Sequence, residues 1–385
     1  MEQQSYKLKE LTSNQTGGTL HNNEYILEYI WVGGEGELRS KTKVYTTHKK
    51  IKCCEDIPVW NFDGSSTKQR TGSGKDRDTE VVVKPCKMVK DPFRCDNSYL
   101  ILCDTYYPKG ITSPEGEPIP SNYRPDAVKK FKNSHSRKDE PWFGLEQEYF
   151  MIHSDWEQPM HGLQEQYYCG VGHKKINERV IAEEHLSACL YAGLTISGIN
   201  AEVSSHQWEF QIGPVEGIDA SDQFYLARYI LERVAEKYGV CILYDPKPYP
   251  WLNGTGCHTN FSTKPMRTCP TGFKVIKEAI ENLGKKHVEY MKESDDLYGI
   301  NNYQRLIGIH ETSSMDVFSW GVGTRHTSIR VPNQTAIDGC GYFEDRRPAG
   351  NINPYRVTSA IYDACCNCDT TKNNKHKKKV IHDEK

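Results

Sequence analysis

No stretch of the chain reaches the roughly 18 to 20 consecutive apolar residues that a bilayer-crossing helix requires, so an integral membrane protein is not expected. The opening segment MEQQSYKLKELTSNQTGG lacks the apolar core of a secretory signal. It also lacks arginine, the first being Arg39, which argues against an amphipathic transit peptide. The expected compartment is the cytoplasm. Neither sign of charge dominates: 49 Lys and Arg face 51 Asp and Glu, a formal net charge of -2. That balance supplies no global attraction for nucleic acid or an anionic membrane, so any charged ligand must be met locally. There is no internal repeat and no GxxxxGK[ST] phosphate loop, and GGEGE at 33–37 reads as a turn between strands. The 14 cysteines are scattered through a long chain, which predicts reduced thiols. Cys53, Cys54, Cys365, Cys366 and Cys368 lack the partner spacing of a zinc site.

With 385 residues there is room for two to three domains at about 150 residues each. Residues 1–22 are polar and aperiodic, as in a mobile N-terminal arm. From 24 to about 110, short runs such as EYILEYIWV, KVYTT, EVVVK and SYLILCDTYY predict a small sheet-rich domain, assigned to 23–118. The Pro-rich stretch 109–126 marks its boundary. A second domain, 119–366, mixes strands with amphipathic helices at about 177–192, 219–238, 273–292 and 354–366. In the last of these Asn353 can cap and Pro354 occupies the first helical position. The fold class is therefore α+β, and residues 367–385 form a lysine-rich disordered tail.

In WFGLEQEYF, residues 142–150, strand alternation puts Glu146 and Glu148 on one face, roughly 6 to 7 Å apart. Side-by-side carboxylates repel unless a cation lies between them or one is protonated. Taken alone, this segment fits an exposed edge strand equally well. In NAEVSSHQWEFQIG, residues 200–213, Glu202 and Glu209 flank the turn Ser204-Ser205-His206 and sit among apolar neighbours. Burying such carboxylates is expensive without a partner. The segment 255–263 places His258, Asn260 and Ser262 on one strand face, and 341–348 does the same for Tyr342, Glu344 and Arg346. Arg305, Arg325 and Arg330 lie near the loop Glu311-Thr312-Ser313-Ser314, and guanidinium forks suit carboxylate and phosphate oxygens. Together these residues describe divalent cations facing an anionic substrate, with oxygen ligands favouring magnesium or manganese.

Over about residues 20–365 the chain resembles eukaryotic-type glutamine synthetases. Seven collinear motifs carry the resemblance: NFDGSST (61–67), WFGLEQEY (142–149), YYCGVG (167–172), NAEVSSHQWEFQIGP (200–214), NGTGCHTNFST (253–263), GIHETSS (308–314) and GYFEDRRPAGN (341–351). The resemblance implies an N-terminal β-grasp domain and a catalytic domain whose curved antiparallel sheet is flanked by helices. It implies a homo-oligomer of two stacked pentameric rings with active sites between subunits. It also implies ligation of ammonia to glutamate, with ATP as co-substrate, through a γ-glutamyl phosphate, and two to three Mg2+ or Mn2+ ions per site.

By the same resemblance Glu148, Glu202 and Glu209 would hold one cation, and Glu146, His258 and Glu344 another. Asp63, lent by a neighbouring subunit, and Glu311, on a closing flap, would handle the ammonium proton. Arg325, Arg330 and Arg346 would stabilise the transferring phosphoryl group. Asn253, Gly254, His258, Arg305, Arg325 and Arg346 would bind substrate. Trp142, Glu146, Glu209, Pro214, Asn260, Ser262, Arg267, Arg325, Arg330 and Tyr342 would contact ATP. Departures from the family pattern fall at 248–256, which is one residue shorter with Leu252 before Asn253, in HKKINERVIAEEH, in VPNQTAIDGCG, and in the loops at 70–80 and 293–303. Other readings keep the fold but ligate a different amine or acid, or make the chain a catalytically silent structural relative.

Overall fold

The structure, a computed structural model, describes residues 23–70, 78–94, 96–110, 116–153, 167–172, 178–292 and 297–366. The expected N-terminal arm and lysine-rich tail lie outside the described residues, as do Cys368, residues 71–77 and 293–296 of the loops at 70–80 and 293–303, and residues 173–177 of HKKINERVIAEEH. The first sheet holds β1 (Glu24–Val32), β2 (Leu38–Thr46), β3 (Trp60–Asp63), β4 (Glu80–Lys90) and β5 (Ser98–Tyr106). Their order is β2-β1-β5-β4-β3, with β1 and β5 parallel at the centre and antiparallel neighbours outside. The GGEGE segment is indeed the turn between β1 and β2.

This sheet buries both faces. On β1, Tyr25, Leu27, Tyr29 and Trp31 point into a core of the sheet's own, completed by Ile101, Cys103, Phe62 and Val81. The alternate residues Ile30, Leu100 and Leu102 join the main core of the chain. Polar pairs lock the same junction: Tyr229 donates to Glu28 at 3.0 Å, and Arg124 forks onto Asp222 at 2.8 Å while reaching Asp104 at 3.1 Å. Arg124 opens α1 (Arg124–Phe131), so the stretch expected as a boundary already contains helix.

The second sheet comprises β6 (Trp142–His153), β7 (Ile196–Ala201), β8 (Gln207–Glu216), β9 (Val240–Leu243), β10 (Cys257–Ser262), β11 (Trp320–Val322), β12 (Ile329–Val331) and β13 (Phe343–Asp345). Its order is β11-β12-β13-β10-β6-β8-β7, with β9 also paired to β6. β6 is thus interior, which removes the edge-strand reading of Glu146 and Glu148. The sheet is antiparallel apart from the β11 and β12 pair, which is parallel.

Alternation decides which side chains face which way. Phe143, Leu145, Tyr149, Trp208, Phe210, Ile212, Phe261 and Phe343 are all buried against the helices. Those helices are α2 (Ser134–Asp139), α3 (Arg179–Ala192), α4 (Ile218–Glu236), α5 (Gly272–Lys292), α6 (Asn333–Asp338) and α7 (Pro354–Cys366). α4 is buried almost all round, as its apolar spacing demands when helices and both sheets surround it. α7 starts as predicted, with Asn353 Oδ1 accepting from the amides of Tyr355 and Arg356.

One cysteine expectation needs correction. Cys269 and Cys340 form a disulfide across 71 residues of sequence, with Cα atoms 5.0 Å apart. Among the described residues the other ten cysteines are free thiols.

Candidate active site

The carboxylates converge because of strand register. On β6 and β8 Glu148 lies directly opposite Glu209, and on β7 Asn200 lies opposite Glu209. Glu146 faces His258 across β6 and β10, and Arg330 faces Glu344 across β12 and β13. Two glutamates in direct cross-strand opposition are destabilising unless a cation separates them. Glu202 follows β7 at the turn and joins this pair. Glu148, Glu202 and Glu209 can each offer an oxygen within 4.8 Å of the others, and Glu146, His258 and Glu344 form a second such group.

The donor chemistry fits divalent cations. Burial, then the neighbouring Glu148 charge, pushes the Glu202 carboxyl up to about 8. Burial also raises Glu146, and it raises Glu209 strongly with help from the surrounding glutamates. His258 is driven down to about 3, first by burial and then by Arg346, so its imidazole is neutral and its Nδ1 lies 3.5 Å from both Glu146 and Glu344. Carboxylates forced to keep protons beside a neutral imidazole describe a site short of positive charge.

A testable consequence follows from Glu202. Between its ordinary value of 4.5 and about 8, the folded metal-free protein holds a proton that the unfolded chain has released. This contribution to stability is fully present below pH 4.5 and is lost as pH rises through about 8. In chelator, the melting temperature is expected to fall from about pH 6 to about pH 8.5, and the rise on adding magnesium to widen over the same interval. An unchanging gap would show that the clusters do not take the cation.

Arginines close the other side. Arg346 pairs with Glu344 at 2.6 Å and reaches the Glu311 carbonyl at 3.3 Å. Arg330 lies 3.3 Å from Glu344, and Arg325 pairs with Glu311 at 3.1 Å. Arg305 is buried beside His258, and burial lowers its guanidinium to about 10. His310 and Glu311 both have positive φ, 55° and 61°, so this loop holds two non-glycine residues in the left-handed region.

These residues line a polar cavity of about 270 Å³ together with Asn253, Gly254 and Tyr168. Gly254 has no room for a side chain, since a Cβ would sit 2.0 Å from the Pro246 carbonyl oxygen. The shortened segment before it is filled by Leu252, which is buried against Phe150 and Tyr249. A second, mainly apolar cavity of about 390 Å³ abuts the first, and Glu146 and Gln211 belong to both walls. Trp142, Pro214, Asn260, Ser262, Arg267 and Tyr342 line it, with the Arg267 guanidinium 3.9 Å from the Trp142 ring.

Of the residues expected at the site, the chain brings all but Asp63 to one of these two walls; Glu209, Arg325 and Arg330 line the polar cavity alone. Asp63 ends the edge strand β3, is exposed, and accepts from the amide and hydroxyl of Ser65. Among the wall residues not singled out from sequence are Asn200, Gln211 and Tyr168. Asn200 donates to Glu202 at 2.8 Å, Gln211 donates to Glu209 at 2.6 Å, and Tyr168 lies against Arg325. Gln211 could have been found, since an amide two residues from a glutamate on one strand shares its face.

Known proteins are similar in sequence to this chain. The profile of the glutamine synthetase catalytic domain matches residues 124–376. The putative glutamine synthetase of Acanthamoeba polyphaga mimivirus is 50% identical over 352 residues, spanning 89% of this chain and 95% of that one. A glutamine synthetase nodule isozyme from Lupinus luteus is 50% identical over 346 residues, or 87% and 93% of the two chains. The glutamine synthetase cytosolic isozyme 1-1 of Oryza sativa subsp. japonica is 48% identical over 346 residues, or 87% and 92%. Likeness of this degree, over nearly the whole length of both partners, means that the chain belongs to the glutamine synthetase family, eukaryotic type.

Proposed function

We propose that the chain ligates ammonia to L-glutamate, giving L-glutamine, ADP and phosphate through a γ-glutamyl phosphate. The observation that carries this reading is the pair of largely buried three-residue donor groups, walled by arginines on one side and by an apolar cavity on the other. In this assignment Glu148, Glu202 and Glu209 would hold one Mg2+ or Mn2+ and Glu146, His258 and Glu344 a second, with two to three ions serving each site. Bound there, the cations neutralise phosphate charge and polarise the transferring group.

The rest is done by the chain's own side chains. The apolar cavity takes the nucleotide base between Trp142, Pro214 and Tyr342, with Asn260, Ser262 and Arg267 at its polar rim. Arg267 Nη1 and Arg330 Nε are buried with no hydrogen-bond partner among the described residues, and phosphate or ribose oxygens would satisfy them. Arg325, Arg330 and Arg346 stabilise charge on the phosphoryl group in flight. Arg305 and Arg346, with Asn253 and Gly254, hold the glutamate. An anionic pocket then binds ammonium and accepts its proton through Asp63 and Glu311. Closure of the 308–314 loop keeps water from the acyl phosphate.

Asp63 lines neither of these two cavities, so we assign it to the site of a neighbouring copy. Two stacked pentameric rings are the assembly proposed, built from a small domain at 23–118 and a catalytic domain at 119–366. The cytoplasm is the proposed compartment; among the described residues no helix is long and apolar enough to cross a membrane. The test is phosphate release by the purified protein with ATP, magnesium and glutamate, with and without ammonium. Ammonium-dependent release matched mole for mole by glutamine supports the assignment. Release that ignores ammonium, or none at all, defeats it and leaves another acceptor or a silent relative.

A further inference from the structure

Two segments form the outer wall of the apolar cavity. One, 263–272, carries Arg267; the other, 338–342, ends on Tyr342. Backbone bonds stitch them together: the Gly341 amide donates to the Met266 carbonyl and the Phe273 amide to the Gly339 carbonyl, both at 2.8 Å. The Cys269–Cys340 disulfide belongs to the same seam, two residues from Arg267 on one side and two from Tyr342 on the other. Packing along the seam is close, since a Cβ on Gly272 would lie 2.0 Å from the Met266 carbonyl oxygen and 2.9 Å from the Cys340 Cβ. Cys269 is exposed and Cys340 half-buried, so small thiols in solvent can reach the pair. Arg267 in turn is held over Trp142 and donates to the Glu140 carbonyl at 2.8 Å.

We propose that Cys269 and Cys340 are a reversible thiol–disulfide modification site that sets the nucleotide affinity of the adjoining cavity. Bridged, the pair fixes the Arg267 and Tyr342 segments against each other and keeps the cavity wall in its binding shape. Reduced, the two segments lose their covalent tie and must be ordered again each time nucleotide binds. The inference rests on the nucleotide reading of the cavity. The co-reactant is a low-molecular-weight disulfide of the glutathione type. One cysteine thiolate attacks a sulfur of that disulfide, forming a mixed disulfide and expelling one small thiolate. The second cysteine thiolate attacks the protein sulfur of the mixed disulfide, closing the Cys269–Cys340 bond and expelling the other. Two electrons pass from the cysteine pair to the small disulfide, and the two protons the cysteines lose go to the two departing thiolates. A dithiol runs the exchange backwards.

The test titrates magnesium ADP into the full-length protein by calorimetry, after equilibration in glutathione disulfide or in dithiothreitol. Thiol blocking and peptide mass score the bridge in each sample. Reduction is expected to weaken binding by about fivefold, the cost of ordering one or two side chains on binding. Cys269→Ser and Cys340→Ser are expected to bind like the reduced protein in both buffers. Equal affinity in two samples whose bridge differs overturns the inference while leaving the nucleotide site in place. So does a bridge that never forms in glutathione disulfide, or a serine variant that still responds to dithiothreitol. Binding in neither buffer removes the nucleotide reading itself, and the inference with it.

Discussion

Glu209→Gln is expected to lower ammonium-dependent phosphate release by at least about a thousandfold while raising the melting temperature of the metal-free protein. The two effects have one cause. Glu209 stands directly opposite Glu148 and close to Glu202, and burial with that crowding pushes its carboxyl far above the ordinary range. Glutamine keeps the shape and can still meet Gln211, but it carries no charge and so relieves the repulsion. The cation loses a ligand in the same step. Deleting a single preorganised donor to transition-state charge costs about a hundred- to a thousandfold, and an anionic ligand contributes more than a neutral donor. Initial rates and thermal melts in chelator, taken on the same preparation, check the pair of outcomes. Retained activity would remove Glu209 from the metal set, and a drop in chelator stability would show that the glutamates do not strain the fold.

Arg347→Met should give the largest loss of stability, about 3–5 kcal/mol. Arg347 is fully buried and bonds Asp345 through Nε at 2.8 Å and Nη2 at 2.6 Å, with Tyr298 and His287 completing its contacts. Methionine fills the stem volume but leaves the Asp345 carboxylate buried and unpaired. Urea unfolding monitored by fluorescence measures the loss, and an Asp345→Asn, Arg347→Met double variant should recover much of it. A single variant within about 1 kcal/mol of the parent would mean that Asp345 finds another partner.

The two experiments touch different strands, Glu209 on β8 and Arg347 just past β13. In GYFEDRRP, alternation was enough to place Tyr342, Glu344 and Arg346 together, and they do line the cavities. Asp345 and Arg347 project the other way and fasten the strand from behind. The same period of two explains why Glu146, Glu148, Glu209 and His258 could be grouped from sequence: each sits in a strand whose other residues are apolar enough to fix the inward face. Where that period fails, the sequence was silent. β11, β12 and β13 are three residues each, too short for alternation to signal their pairing, so the parallel β11 and β12 contact was missed. Gln147 is buried in the core and accepts from Arg228 at 2.8 and 2.6 Å, a polar anchor 81 residues apart that no local pattern announces. The Cys269–Cys340 bond spans 71 residues and was read as two separate thiols for the same reason. Asp63 is a different case. Its motif was legible, yet its distance from the cavities of its own chain is a matter of tertiary placement.

The two-sided burial of the first sheet bears on how such a chain can be inherited. Ile30, Leu100 and Leu102 have no solvent-ready surface to turn to, because they complete a core whose other members lie in the catalytic sheet and its helices. Glu28 and Asp104 likewise spend their charges on Arg94, Tyr229 and Arg124, the last two from beyond residue 118. A gene fragment cut near that point would expose a greasy, charge-frustrated face and would be a poor donor for recombination into another protein. The halves look separable on paper, but the core they share ties the stability of each to the other, so a change on one side of that wall is felt on both.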